Sequence, residues 1–277
     1  MNQVVRAALD EDAPTGDITS TLVIPAEAQA TAVLAAREPG VFAGAQVFAA
    51  AFTLTDPRVQ VELIKHDGDR FASGDALARV TGPARAVLTG ERVGLNFAQR
   101  MSGIATLTAA YVDAIDGTDS VILDTRKTTP TLRAFERHAV ACGGGRNHRF
   151  SLSDAFMAKD NHLAVLTAGG LDITAALLYV KAQLPAGMMF EVEVDRLDQI
   201  EPVLAGGVDV IMLDNFSLAD LRTGVAQVAG RAKVEASGGV NLDTVRGIAE
   251  TCVDFISVGA LTHSARALDL GLDIAIS

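Results

Sequence analysis

The stretch FEVEVDRLDQIEPVLAGGVDVIMLDNFSLADLRTGVAQVAGRAKVEASGGVNLDTVRGIAETCVDFISVGA, residues 190–260, decides the fold. Four short apolar runs in it each close on a polar residue or a glycine: FEVEVD at Glu193, VIMLD at Asp214, VEASGG at Ser237 and FISVGA at Gly259. These end points lie 21, 23 and 22 residues apart (214−193, 237−214, 259−237). Such an interval holds a strand, a loop, a helix and a return loop, and helical patterns such as LADLRTGVAQVA (218–229) and NLDTVRGIAE (241–250) fill the gaps. Alternating β and α units predict a parallel sheet with right-handed crossovers. Val/Ile-rich runs suit strands covered on both faces. Upstream, VILD at Asp124 and AFMAKD at Lys159 have the same form. A barrel and an open doubly wound sheet both satisfy this rhythm, and either gathers the carboxyl ends of its strands on one rim. Asp124, Arg126, Lys127, Lys159, Glu193, Asp214, Ser237 and Gly259 are therefore expected around one cavity.

Further upstream the rhythm is different. Residues 3–9 predict a short amphipathic helix, and EDAPTGD (11–17) an acidic turn. QATAVLAAR (29–37) and VQVELIK (59–65) alternate like strands. From Ala84 to Ile115 apolar residues recur at helical spacing, with Gly90, Gly94 and Gly103 as local weak points. A domain boundary is expected near the end of that helix.

Composition narrows the partners. The chain has 277 residues with 23 Lys+Arg against 34 Asp+Glu, a net charge of −11. That balance argues against nucleic acid or an anionic membrane, which need a basic surface. Cys142 and Cys252 form no CxxC pair and no disulfide framework, which suits a reducing, cytoplasmic setting. No signal-peptide pattern opens the chain, and no apolar run reaches the ~18 residues of a spanning helix.

Against this acidic background, ILDTRKTTPTLRAFERHAVACGGGRNHRF (122–150) crowds Arg126, Lys127, Arg133, Arg137, Arg146, His148 and Arg149 together. Arg126 and Lys127 follow a strand end, and His148 and Arg149 a Gly-rich turn; arginine's planar fork suits carboxylates. Arg133, Arg137 and Glu136 read as an exposed helix face, and His138 as a helix-surface or core histidine. ASGGVN (236–241) and SVGALTHS (257–264) follow the last two strands; such paired loops suit a phosphate cradle, where glycine lets the main chain approach the oxygens. Glu193 and Asp214 close apolar strands, where a carboxylate needs a partner. They would hold sugar hydroxyls or a divalent cation, or else form buried salt bridges. Glu191, Asp195 and Asp209 read as solvated charges, His162 as an outer support for the site, His66 as part of an acidic turn and His263 as a helix cap.

The chain resembles the quinolinate phosphoribosyltransferase family. The resemblance rests on nine motifs in order: EDAPTGDIT, GERVGLNFAQRMSGIAT, LDTRKTTP, HAVACGGGRNHR, MAKDNHL, EVEVD, VIMLDNF, EASGGVN and ISVGALTHSA. It implies a small N-terminal α/β sandwich domain (1–109, joined by the tail 266–277) and an incomplete, seven-stranded-type β/α barrel (110–265). It implies transfer of phosphoribosyl from phosphoribosyl pyrophosphate to quinolinate with Mg2+, giving nicotinate mononucleotide, pyrophosphate and CO2. Lys127, Lys159, Glu193 and Asp214 would be catalytic. Arg126, Lys127, His148, Arg149 and Lys159 would bind the quinolinate carboxylates and the phosphates. Glu193 and Asp214 would sit at the ribose and its Mg2+, and Ser237, Gly238, Gly239 and Gly259 would hold the 5′-phosphate. Arg92, in GERVGLN, would reach the site of a neighbouring subunit, implying a homodimer or higher oligomer.

Three positions depart from the family pattern: Thr131 and Ser151 replace glycines, and Arg266 replaces a proline. Rival readings are a phosphoribosyltransferase for nicotinate or another heteroaromatic acid without decarboxylation, a Schiff-base lyase using Lys127 or Lys159, and a non-catalytic phospholigand sensor. One carboxylate needs fewer cations than two, so the full basic set leans toward the diacid.

Overall fold

The computed structural model describes all 277 residues, and the chain divides into two compact units. The first joins Met1–Ala109, Thr131–Gly144 and Ala265–Ser277; the second joins Ala110–Pro130 and Gly145–Ser264. In chain order the strands are β1 (Gln29–Ala36), β2 (Gly40–Val41), β3 (Gln60–Leu63), β4 (Arg70–Phe71), β5 (Ala76–Pro83), β6 (Val121–Leu123), β7 (Phe156–Ala158), β8 (Phe190–Val194), β9 (Val210–Asp214), β10 (Lys233–Ser237), β11 (Phe255–Ser257) and β12 (Leu270–Ile276). The helices that bear on the argument are α1 (Asn2–Asp12), α2 (Ile18–Val23), α3 (Ala45–Thr53), α4 (Ala84–Ala114), α5 (Arg133–Cys142) and α6 (Asp160–Thr167). Five more follow: α7 (Ile173–Lys181), α8 (Ile200–Ala205), α9 (Leu218–Val228), α10 (Val245–Ala249) and α11 (Ala260–His263).

In the first unit a four-stranded antiparallel sheet runs β12-β1-β5-β3, beside a small β2-β4 pair. Along β1, Ala30, Ala32 and Leu34 are buried while Gln29 and Thr31 are exposed, the inside–outside alternation of a half-covered strand. Strand β12 pairs with β1 from Ala30↔Ile276 to Ala36↔Leu270, so the sheet needs residues from both ends of the sequence. The core beneath it gathers Phe42, Phe48, Phe52, Leu34 and Leu77, all fully buried, each side chain contributing about 1.5–3 kcal/mol by leaving water. The Phe48 and Phe52 rings meet edge to face with centroids 4.9 Å apart.

The glycines read as weak points in α4 are packing sites within an unbroken 31-residue helix. A Cβ at Gly94 would lie 3.0 Å from the Phe52 ring, and one at Gly103 would overlap the Arg266 carbonyl. The helix accepts the cost of glycine because its neighbours press directly on its backbone.

Residues 131–144 belong to the first unit, interrupting the continuous 110–265 span expected for the barrel. On α5, Phe135, Glu136, Ala139 and Val140 are buried. Glu136 is therefore not on an exposed face: Arg100 Nη2 donates to it at 2.8 Å, and Arg100 Nη1 donates to the Ala265 carbonyl at 2.6 Å. Arg133 and Arg137 are half-buried. Just before α5, Thr131 keeps a left-handed backbone (φ 67°) although it lacks glycine's freedom. Ser151 does not have a positive φ; its hydroxyl donates to Asp154 at 2.6 Å. Arg266 forms a two-pronged pair with Glu38, whose carboxyl is held down at about 2 by that hydrogen bond.

The second unit is a six-stranded parallel sheet in the order β6-β11-β10-β9-β8-β7. From β7 to β11 neighbours in space are neighbours in sequence, and β6 pairs with β11 instead of starting a second wing. A doubly wound sheet would reverse direction at a switch point. The observed order is a barrel whose first strand has met its last, open between β6 and β7. A single parallel bridge fills part of that seam: Arg146 N–H donates to the Ile122 carbonyl at 2.8 Å, and Asp124 N–H donates to Arg146 at 3.1 Å. The buried runs of β8, β9 and β10 are Val192 and Val194, Val210 to Leu213, and Val234 to Ala236. Their register sets Ser237 opposite Asp214 and Glu193 opposite Met212. The polar strand ends are thereby brought to one level.

Candidate active site

At that rim the second unit holds a cavity of about 770 Å³. Its lining gathers Arg126, Lys127, His148 and Arg149 from the basic segment, Lys159, Glu193 and Asp214 from the ends of β7, β8 and β9, and Ser237, Gly238, Gly239 and Gly259 from the ends of β10 and β11 and the loops after them. The polar strand ends expected to converge do so, with the exception of Asp124. Asp124 is fully buried, and its Oδ1 accepts the His148 N–H at 2.7 Å. Arg92 belongs to the first unit, with its side chain exposed on α4.

The cationic residues lie close enough to feel one another. Arg149 is half-buried, its Nη1 donating to the Ala155 carbonyl at 3.2 Å. Burial, followed by the nearby Arg126 charge, lowers its pKa. Two guanidinium groups held close together repel unless an anion joins them. Lys127 is exposed; its carbonyl accepts the Thr262 hydroxyl at 2.6 Å, tying the residue to α11.

Lys159 forms an ion pair with Glu193. The salt-bridge reading of Glu193 is thus realised, although Lys159 is 44% exposed and able to swing away. Asp214 accepts from the Ser237 hydroxyl at 2.6 Å and from Asn215 Nδ2 at 2.7 Å. A second, smaller cavity of about 340 Å³ is lined by Asp160, Glu193, Asp195, Asp214 and Asn215. Four of its side chains are carboxylates, Asp160, Glu193, Asp195 and Asp214, and carboxylate oxygen is the ligand that hard divalent cations take.

The glycine loop is shaped for close approach. Gly238 and Gly239 have φ of 91° and 60°, and a Cβ at Gly238 would overlap the Asn215 side chain. Asn215 itself is left-handed (φ 59°), a state asparagine tolerates, and donates its N–H to the Ser237 carbonyl at 2.9 Å. Nothing in the sequence pattern singles the position out, yet it lines both cavities. His263 likewise lines the main cavity and does more than cap a helix; its Nδ1 lies 2.6 Å from Ser264 Oγ. His162 is exposed and caps α6, its Nδ1 accepting the Lys159 N–H at 3.1 Å.

Beneath the floor is a group that sequence reasoning missed. Glu191 is fully buried, not solvated, and Glu235 is 1% exposed. Their carboxylates lie 3.3 and 3.5 Å from His148 Nε2. Neither Glu191 oxygen has an aligned hydrogen bond, so that contact is electrostatic, whereas Glu235 Oε1 accepts from Ser257. Burial depresses the His148 pKa, but Glu191 and Glu235 outweigh it and lift it to about 10. Burial raises the Glu191 carboxyl in the same cluster. The Arg149 N–H aimed at His148 Nδ1 (2.7 Å) opposes a proton on that nitrogen. What stands is that the trio holds one proton more at neutral pH than its members would apart, and so carries one negative charge in place of two.

An opened barrel whose strand ends set guanidinium groups, hard carboxylates and a glycine loop around one cavity defines an enzyme for phosphorylated, anionic small molecules. Two family models cover the chain: the quinolinate phosphoribosyl transferase N-terminal domain matches residues 17–102 and the C-terminal domain residues 104–273. A protein of Bacillus subtilis (strain 168) described as a probable carboxylating nicotinate-nucleotide pyrophosphorylase is 44% identical over 96% of this chain and 91% of its own. The carboxylating nicotinate-nucleotide pyrophosphorylase of Mycobacterium leprae is 43% identical over 98% and 95%. The crystal structure of NadC from Streptococcus pyogenes superposes with a TM-score of 0.94 at 42% identity, covering 100% of this chain and 96% of that one. The chain belongs to the quinolinate phosphoribosyltransferase family.

Proposed function

We propose that this protein transfers the phosphoribosyl group of phosphoribosyl pyrophosphate to quinolinate and releases CO2, forming nicotinate mononucleotide and pyrophosphate for NAD biosynthesis. The observation that carries the reading is the presence of Arg126 close to Arg149 in the same cavity as Glu193 and Asp214. Two guanidinium groups in one cavity, with Lys127 and Lys159 beside them, suit the two carboxylates of quinolinate better than the single carboxylate of nicotinate.

The residues divide the work. Arg126 and Arg149 hold the two carboxylates and set the ring nitrogen in line with C1 of the ribose, a positioning contribution. His148, braced from below by Glu191 and Glu235, accepts the Arg149 N–H and so supports that arginine. Backbone N–H groups of Gly238, Gly239 and Gly259, with the Ser237 hydroxyl, hold the 5′-phosphate. As the ring nitrogen bonds to C1, the C1–O bond to pyrophosphate breaks and positive charge builds on the sugar. Glu193 and Asp214 face that charge with preorganised negative groups. Lys127 and Lys159 neutralise the departing oxygens, Lys159 exchanging its pairing with Glu193 for the pyrophosphate. The alkylated ring then accepts the electron pair of the C2–carboxylate bond as CO2 leaves, and C2 takes up a proton.

The all-oxygen set of Glu193, Asp214, Asp160 and Asp195 fits Mg2+, which when bound would offset charge on the pyrophosphate. A homodimer in which Arg92 completes the partner's site is part of the reading, supported by Arg92 standing exposed on α4. A reducing cytoplasmic setting accords with two free thiols; no helix is long and apolar enough to cross a membrane.

Incubation with quinolinate, phosphoribosyl pyrophosphate and Mg2+ is expected to give nicotinate mononucleotide and CO2 in equal amounts. Turnover of nicotinate in place of quinolinate, without CO2, would establish the alternative. Mixing inactive Arg92→Ala and Lys159→Ala proteins should restore part of the activity if the site is shared between subunits; no recovery would place Arg92 outside it.

A further inference from the structure

A second cluster of ligating side chains lies wholly within the first unit and takes no part in the chemistry above. His138 and Cys142 stand one turn apart on α5, within HAVAC, so their side chains share a face. Asp67 reaches them from the turn before β4, and all three ligand atoms lie within 4.8 Å of one another. We propose that Asp67, His138 and Cys142 form a binding site for a zinc-class divalent cation.

The distances support this. A tetrahedral zinc centre with bonds of ~2.3 Å to sulfur and ~2.0–2.1 Å to nitrogen or oxygen sets its N and S ligands ~3.5 Å apart and its N and O ligands ~3.3 Å apart. His138 Nε2 and Cys142 Sγ are already 3.5 Å apart. His138 Nε2 and Asp67 Oδ2 are 2.6 Å apart, in direct hydrogen bond, so a cation need only spread them by about 0.7 Å (3.3 − 2.6). A second hydrogen bond fixes the carboxylate in place. Its Oδ1 accepts the Ala45 N–H at 2.9 Å at the start of α3, leaving Oδ2 directed at the imidazole. An oriented ligand of this kind strengthens metal sites generally. His138 is 52% exposed, which leaves a side open for water as the fourth ligand.

The donor set selects the cation. Thiolate and imidazole favour zinc, cobalt or copper and are poor ligands for Mg2+, so this site would not compete for the ion of the rim. It does not suit a redox thiol. Burial, and then the Asp67 charge, push the Cys142 thiol up to about 12, well away from a reactive thiolate. Binding of the cation would form the S–metal bond as the thiol proton leaves to solvent, one proton per cation from this residue.

The test uses the full chain without Mg2+ and Co2+ as a spectroscopic probe. One equivalent is expected to bring up a thiolate-to-cobalt charge-transfer absorption, which carboxylate ligands at the rim do not give. The band should vanish in Cys142→Ser, persist in Cys252→Ser, and require at least about tenfold more Co2+ in Asp67→Asn and His138→Ala. Zn2+ should displace the band, and in the unaltered protein it should slow alkylation of Cys142 without slowing that of Cys252, a readout independent of any variant's folding. No charge-transfer band, its persistence in Cys142→Ser, or equal alkylation rates with and without Zn2+ would overturn the proposal.

Discussion

Replacing Glu235 by Gln tests whether the buried trio under the cavity sets the charge that substrate meets. Glutamine keeps the shape and leaves an oxygen to accept from Ser257, while the carboxylate oxygen 3.5 Å from His148 Nε2 becomes an amide NH2, so the negative charge and its acceptor are removed together. At an effective dielectric of ~20, two unit charges at that distance interact by about 332/(20 × 3.5), or roughly 5 kcal/mol. At ~1.36 kcal/mol per pH unit this is roughly 3.5 units. Burial alone lowers the imidazole pKa, so losing one of two opposing carboxylates should bring the trio's titration from about 10 to near or below neutral. The sign follows from linkage. A folded-state pKa above the unfolded ~6.5 contributes stability that is complete below ~6.5 and disappears as pH rises through the folded value. The unaltered protein should therefore lose stability between about pH 6.5 and 10 through this trio, while the variant, whose folded and unfolded values nearly coincide, should show little or none of that loss. Two assays read it: the His148 ring proton followed by NMR against pH, and the quinolinate KM across the same range. The KM should become pH-dependent near neutrality in the variant alone. A His148 titration that coincides in the two proteins would refute the reasoning, because the second carboxylate would then contribute nothing.

Three other outcomes are expected. Arg149→Lys keeps the charge but loses the two-pronged fork, and should raise the quinolinate KM by a factor corresponding to roughly 1–3 kcal/mol while leaving that for phosphoribosyl pyrophosphate unchanged; equal quinolinate affinity would remove Arg149 from the carboxylate site. Gly238→Ala forces a side chain onto Asn215 at a φ of 91°, and should weaken phosphoribosyl pyrophosphate binding by about 1–3 kcal/mol, read as a KM change with the quinolinate KM unmoved. Thr131→Gly relieves a left-handed β-branched residue worth roughly 1–2 kcal/mol of strain and adds about 0.5–1 kcal/mol of unfolded-chain entropy. A net gain near 0.5–1 kcal/mol in denaturant unfolding is expected, and a loss would mean that the threonine side chain holds the loop.

The parallel β/α arrangement and its shared rim were legible because strand ends recur at nearly constant intervals from Glu193 to Gly259, whereas the choice of a barrel over an open sheet came from the family resemblance. What stayed hidden depended on depth and on contacts remote in sequence. Glu191 and Glu193 are two residues apart on one strand, as are Glu235 and Ser237, so each pair must share a face. That alternation was the available signal that Glu191 and Glu235 point inward, one layer below the rim residues. Asp124 looked like a rim residue, but Arg146 bridging beside β6 brings His148 over it and buries it. Nothing in ERHAV announces that Glu136 is buried, since its partner Arg100 lies 36 residues upstream. Thr131 shows the reverse case: the backbone keeps the shape a glycine would take, and the side chain bears the strain.

The pairing of β1 with β12 has a consequence for how the polypeptide is made. The partner of Ala30 is Ile276, so the sheet of the first unit cannot close until almost the whole chain has left the ribosome. Through most of synthesis β1 carries an unpaired edge, open to capture by another nascent copy. Strands β6 to β11 have all emerged by Ser257, so the later part of the molecule has the chance to fold ahead of the earlier part. Shortening the final strand should thus harm yield and solubility far more than it harms the chemistry of whatever protein survives.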